Sequence, residues 1–307
     1  MSVAATATAT RSPVAEAFAI VRFPITLIAM TSTVVFGWLT TGRYLWPLAL
    51  TVGADWFVIN LMNRVTDVAE DLRNHIPGTE RVAQRQRALT LLCLGLLIAL
   101  VAGTALVWPA LTPYRIAVQV IGLAYNYRLV PTPRGRRRLK EIYLLKNLGS
   151  SGIFALTSFA YPIAATGVCL LSWSAIAVLV AFFMLFEMTF EILYDVRDHE
   201  GDHAEGIPTF PVVHGVAGAR RIIDGLLVAS ALILVGGLVA GTIGVREALM
   251  VVAPAVQLGF YRPRVARGLT THDCIVLTHL GSVQLACFLI GTALWLHAGL
   301  PANFMVR

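Results

Sequence analysis

FEMTFEILYDVRDHEGDHAEGIPTFP, Phe186 to Pro211, begins as the tail of an apolar run of membrane-spanning length and ends in carboxylates. Glu187, Glu191, Asp195, Asp198 and Asp202 all fall within it. On a continuous helix Asp195, Asp198 and Asp202 stand at i, i+3 and i+7 and project from one face. Three like charges stacked in this way repel one another unless a cation sits among them. They read either as hard oxygen ligands, suited to Mg²⁺ or Ca²⁺ rather than zinc or copper, or as a solvated charged cap on a membrane helix. Gly201, Gly206, Pro208 and Pro211 give the segment the turn chemistry of a fixed loop.

The chain repeats the pattern. In NLMNRVTDVAEDLRNHIPGTER, Asn60 to Arg81, the residues Asn63, Asp67 and Asp71 stand at i, i+4 and i+8 with Glu70 beside them. Again a polar face closes a mostly apolar run, and Asn74, Pro77 and Gly78 break the helix after it. A second acidic face weakens the charged-cap reading and favours a shared site.

The 307 residues are 57% hydrophobic and 13% charged, against roughly 45–50% and 25% in soluble domains. Mean hydropathy is +0.74. The excess exceeds what a core needs and predicts an all-α polytopic membrane protein. Its length suits about nine helices of ~20 residues around a central cavity. They are expected near 14–41, 44–72, 82–108, 113–129, a fifth ending at Tyr161-Pro162, then 170–195, 216–241, 247–261 and 272–298. Residues 1–13 read as a loose tail and 14–307 as a single transmembrane domain. Spans two and six hold equivalent places in two four-helix halves, which suggests an internal repeat plus a ninth helix.

Net charge is +7, and its placement sets the topology. Arg43, Arg115, Arg246 and Arg307 fall after odd-numbered spans, and Arg22 and Arg64 fall within or at the ends of spans. The other Lys and Arg fall in the amino-terminal tail or after even-numbered spans. The positive-inside rule then places the amino terminus and both acidic motifs on the cytoplasmic side. The run Arg134 to Lys140 could suit nucleic acid, but in such a chain it reads as a cytoplasmic anchor, with no nucleic-acid partner. Arg138, Lys140 and Lys146 directly precede an apolar span and are candidates to hold an anion. Arg22 either snorkels or points inward at one. Cys93, Cys169, Cys274 and Cys287 form no close-spaced pair. His199, His203 and His214 read as solvated loop histidines, and His272 and Asp273 as a helix cap.

Two acidic faces at the same depth, with nearby cations, suit a diphosphate bridged by Mg²⁺, and the apolar walls suit a lipid tail. Asn63-x-x-x-Asp67-x-x-x-Asp71 with Asp195-x-x-Asp198-x-x-x-Asp202 resembles the UbiA superfamily of intramembrane prenyltransferases, from about Arg22 to the end. The Asn74/Pro77/Arg81 loop, Arg138-Leu139-Lys140 and Gly206-x-x-Thr209-x-Pro211 extend the likeness. The resemblance implies a transferase that ionises an isoprenyl diphosphate and passes the prenyl group to an acceptor, often aromatic, with release of pyrophosphate. It implies Mg²⁺ held by Asn63, Asp67, Asp71, Asp195, Asp198 and Asp202, the five aspartates being catalytic. Arg22, Arg64, Arg138, Lys140 and Lys146 would join Asn63 in binding the diphosphate. One position departs from the pattern: Arg64 stands where the family's first motif usually has Asp. Some members of the same fold cyclise the prenyl diphosphate without an acceptor, and the motifs do not separate the two. A cation-coupled transporter would place its acids at midplane on broken helices, and a phospholipid-type alcohol phosphotransferase would need one compact Asp/Gly/Arg run.

Overall fold

The computed structural model describes residues 20–74 and 76–301. The tail expected at residues 1–13, the start of the first span and Arg307 lie outside the described residues. Within them the helices are α1 Phe23–Thr41, α2 Trp46–Thr66, α3 Val68–Arg73, α4 Thr79–Gln84, α5 Gln86–Val107, α6 Thr112–Asn126, α7 Leu145–Ala155, α8 Tyr161–Thr166, α9 Trp173–Arg197, α10 His199–Glu205, α11 Phe210–Val239, α12 Val245–Ala248, α13 Val252–Ala266 and α14 Thr271–His297. The longer helices pack in sequence, α1 on α2, α2 on α5 and α6, α6 on α7, α7 on α9, α9 on α11, α11 on α13 and α13 on α14. Helix α14 returns to α1 and closes a ring.

Leu91, Ile98, Leu106, Val239, Ile290 and Leu294 are exposed on the ring's outer surface. An apolar exterior of this kind is stable against lipid rather than water. Among the described residues six helices are long and apolar enough to cross a membrane: α1, α5, the rod Leu145–Thr166, α9, α11 and α14. This is an integral membrane protein. The expectation of nine spans included α2, α6 and α13, which fall outside the six. Helix α2 devotes buried positions to Asp55, Asn60, Asn63 and Arg64, and α6 and α13 have 15 residues each.

Three local features depart from the sequence reading or add to it. The fifth rod does not end at Tyr161-Pro162 but continues through α8, because a π-turn at Leu156–Ala160 precedes the proline. The widened turn accommodates a residue that has no amide hydrogen to donate. The loop after α6 forms a short hairpin: β1 Val130–Thr132 and β2 Gly135–Arg137 pair antiparallel, and Gly135 takes the left-handed φ of 103° that the turn requires. Arg115, expected at the non-cytoplasmic start of the fourth span, is buried on α6. Its guanidinium meets Asp55 Oδ1 at 2.7 and 3.0 Å, and it also donates to Thr104 and to the Leu100 carbonyl. Gln119 and the Tyr161 hydroxyl complete the shell around the Asp55 carboxylate. A buried ion pair repays its desolvation only when its remaining hydrogen bonds are filled. Here they are filled from α2, α5, α6 and α8.

The acidic motifs also differ from the expected single faces. Asp67 (φ −104°, ψ 22°) ends α2 and starts α3, and Asp198 (φ −90°, ψ 8°) does the same between α9 and α10. Each three-residue constellation therefore bends about its middle aspartate, a residue that favours helix junctions over helix interiors. Helices α3 and α10 pack on each other. A Cβ on Gly201 would lie 2.2 Å from Asn74 Oδ1, so glycine lets the two motif ends close. Gly201→Val forces these ends apart and should cost about 1–3 kcal/mol, read as a lowered unfolding temperature in detergent.

Candidate active site

The bends aim both motifs at one end of the ring, and the basic segment after α6 runs between them. Arg138 Nη1 donates to Asp67 Oδ1 at 2.9 Å while its Nε holds Glu141 at 2.8 Å. Lys140 Nζ bridges Asp67 Oδ2 at 2.7 Å and Glu70 Oε2 at 2.8 Å. Lys146 Nζ bridges Asp195 Oδ1 at 2.8 Å and Asp202 Oδ2 at 3.2 Å. Asp198 is held by its neighbour Arg197, and Asp71 by Arg64. The cations that like charges demand are thus supplied by the chain itself. Among the described residues no three His, Cys, Asp or Glu side chains form a ready metal cage.

Seven of the expected residues line a polar cavity of about 80 Å³: Arg22, Asn63, Asp67, Lys140, Lys146, Asp195 and Asp198. Asp71, Asp202, Arg64 and Arg138 stand behind that wall. Arg64, expected beside the phosphate, turns to Asp71 and to the Pro77 carbonyl at 2.7 Å. On the offset that relates Asp67 to Asp198 and Asp71 to Asp202, Arg64 corresponds to Asp195. The first motif thus carries its own counter-ion where the second borrows Lys146 from α7. Arg22 caps α1 in the left-handed region at φ 49°, a strained conformation for a residue with a Cβ. It faces inward, 3.9 Å from Asp71.

Sequence reasoning missed several members of this site. Asn147 donates to Asp195 Oδ2 at 2.9 Å, and Arg197 and Tyr125 line the cavity. Arg197 also lies 4.8 Å over the Tyr194 ring. Asn147 and Arg197 each adjoin a residue already singled out, and that adjacency was the available signal. Outside the spans, burial raises Glu70 and Asp71 above the usual carboxylate range, with Lys140 opposing it at the first and Arg22 and Arg64 at the second. Burial pushes Asp202 up to about 7 against the pull of Lys146.

A second cavity of about 400 Å³ lies deeper in the ring. Its wall is mostly apolar, with Phe36, Phe154, Phe182, Phe183, Phe186, Phe190 and Phe288 among its residues. Ile25, Glu191 and Tyr194 belong to both cavities, so the polar one opens into the apolar one.

The whole ring has known counterparts. A UbiA homolog from Archaeoglobus fulgidus, solved bound to GPP and Mg²⁺, superposes with a TM-score of 0.68 at 14% identity, over 91% of this chain and 99% of that one. The apo structure of a UbiA homolog from Aeropyrum pernix gives 0.62 at 16% identity, over 89% and 98%. The model of the UbiA prenyltransferase family matches residues 132–273, from the β1 end through the second acidic motif to the start of α14. Over that segment the sequence resembles the UbiA prenyltransferase family, and over nearly its whole length the chain shares the fold of the solved UbiA homologs. Digeranylgeranylglyceryl phosphate synthase of Haloquadratum walsbyi is 28% identical over 149 residues, 48% of this chain. That match spans about half, 52%, of the relative's length. The first acidic motif lies outside the segment matched by the family model.

Proposed function

We propose that the protein is a Mg²⁺-dependent intramembrane prenyltransferase that ionises an isoprenyl diphosphate and transfers the prenyl group to a small acceptor, with both motifs facing the cytoplasm. The observation that carries this reading is the pair of joined cavities, one charged and one aromatic, which matches a ligand with a diphosphate head and an apolar tail. The A. fulgidus homologs bound to GPP and to DMAPP with Mg²⁺ support it.

Carboxylates and an asparagine are the oxygen donors that Mg²⁺ prefers, and Asp202 Oδ1 is buried without a partner. The residues therefore fit the ion. Asn63, Asp67, Asp195 and Asp198 would hold it from the cavity wall, and Asp71 and Asp202 from behind. Bound there, Mg²⁺ would neutralise charge on the departing diphosphate. Lys140, Lys146 and Arg22 sit where the phosphate oxygens would enter, already positioned to stabilise the leaving charge. Ile25 and the phenylalanines exclude water from the allylic carbon once the tail fills the deeper cavity. The same residues would serve a terpene cyclase, and formation of product without acceptor distinguishes the two.

The cavity bounds the donor. Asp195 and Phe182 lie on one helix, about 20 Å apart at 1.5 Å per residue. An extended chain advances ~1.2 Å per bond, so about four isoprene units fill that length. Pyrophosphate release from purified protein should require Mg²⁺ and rise from C10 to C20 donors, with KM at least tenfold lower for C20, since each buried methylene contributes about 0.8 kcal/mol. No release from any donor would sink the assignment, and equal KM for C10 and C20 would sink the length argument alone.

A further inference from the structure

Helix α9 carries two carboxyl groups that the diphosphate site does not use. Glu187 and Glu191 lie one turn apart in the apolar part of the span, and Glu187 is 6% exposed. Among the described residues neither forms a salt bridge. Their partners are two neutral hydroxyls of α7 and each other: Ser150 Oγ donates to Glu191 Oε1 at 2.8 Å, Ser151 Oγ donates to Glu187, and the two carboxyl groups share a hydrogen bond. Ionisable groups are costly in a membrane interior and persist there chiefly for function. A pair of them on the wall of a phenylalanine-lined cavity calls for a role in the chemistry that cavity holds.

Position supplies the role. If the diphosphate occupies the polar cavity and the prenyl chain the apolar one, the bond between them lies at the junction. Ile25, Glu191 and Tyr194 are the residues the two cavities share. One is inert, one presents an aromatic ring, and one is a carboxyl. Quenching an allylic cation releases a proton at this place, and neither Ile25 nor the Tyr194 hydroxyl, engaged with Thr278 at 3.0 Å, offers a base for it.

We infer that Glu191, oriented by Ser150 and with Glu187 one turn deeper, accepts the proton released when the prenyl cation is quenched. The inference rests on the prenyl-diphosphate reading and extends it to the step after ionisation. The C–O bond to diphosphate breaks with its electron pair on the departing oxygen. The cation then bonds to a ring carbon or hydroxyl oxygen of the acceptor, and that atom's proton passes to the Glu191 carboxylate. Without an acceptor, a C–H bond beside the cationic carbon supplies the proton, and its electron pair becomes a new double bond. Either way the proton leaves through Glu191, which also faces the polar cavity, toward the pyrophosphate.

The test uses the full chain in nanodiscs with Mg²⁺ and a C20 prenyl diphosphate, in one arm alone and in the other with hydroquinone as phenolic probe. Pyrophosphate and organic products are measured separately. Glu191→Gln should release pyrophosphate within threefold of the wild type. It should lose the deprotonated product, hydrocarbon in the first arm and prenylated phenol in the second, by at least about 10²-fold, with prenyl alcohol in its place. Glu191→Asp should recover a tenth or more of the lost product, and Glu187→Gln should shift the partition less than Glu191→Gln does. The arm in which the wild type makes its product identifies the source of the proton. The same organic products in the same proportions from wild type and Glu191→Gln overturn the inference, as does loss of pyrophosphate release together with product. No pyrophosphate from the wild type overturns the prenyl-diphosphate reading, and the inference with it.

Discussion

On the proposed function, asparagine in place of Asp195 should lower Mg²⁺-dependent pyrophosphate release by on the order of 10³-fold, the loss typical when a preplaced electrostatic group is removed from a site of charge development. The side chain keeps its volume and can still meet Asn147, so the effect is one of charge. Two consequences combine. A donor oxygen of the second motif loses its negative charge, and Lys146, which bridges Asp195 and Asp202, keeps only the second carboxylate. Asp71→Asn is the informative contrast. Asp71 lies behind the cavity wall and is paired with Arg64 on its own motif, so its loss should leave release within about tenfold of the wild type, in the range of an outer-layer partner. Initial rates across a Mg²⁺ titration separate the cases, with half-saturation rising sharply for Asp195→Asn and little for Asp71→Asn. Equal losses in the two variants would mean that both motifs grip the ion alike and that Arg64 gives way when it binds.

The bent motifs show how far spacing carries and where it stops. Spacing alone singles out Asn63, Asp67, Asp71, Asp195, Asp198 and Asp202 as candidates, because carboxylates at helical intervals at the end of an apolar run have few explanations. Apolar runs located the long rods. The bends at Asp67 and Asp198 were not legible, since an aspartate in mid-helix and one at a junction are the same letter, and the choice is made by where the following turn must pack. Nor were the partners legible: Lys140 and Lys146 reach carboxylates about 50 to 70 positions away in the chain. The joined cavities depend on phenylalanines from α1, α7, α9 and α14, which read singly as ordinary membrane residues. Arg64 was noticed as a departure, but its pairing with Asp71 depends on the bend between them.

Asp55 carries the other large effect, and it was missed because it sits alone in an apolar run while its partner lies on another helix. Asp55→Ala leaves Arg115 charged and buried, 2% exposed at its side chain, with its hydrogen bonds to the carboxylate gone. Breaking one half of such a pair costs about 3–5 kcal/mol. Gln119 and Tyr161 lose an acceptor as well, so a marked fall in unfolding temperature in detergent is the expected result. The double variant Asp55→Leu, Arg115→Leu tests the cause, since removing both charges and filling the space with apolar groups often restores stability or exceeds it. Recovery of most of the lost temperature identifies the uncompensated charge as the source of the damage. A double variant as unstable as the single one would assign the loss to the neutral hydrogen bonds from Gln119 and Tyr161, which tie α6 and α8 to α2.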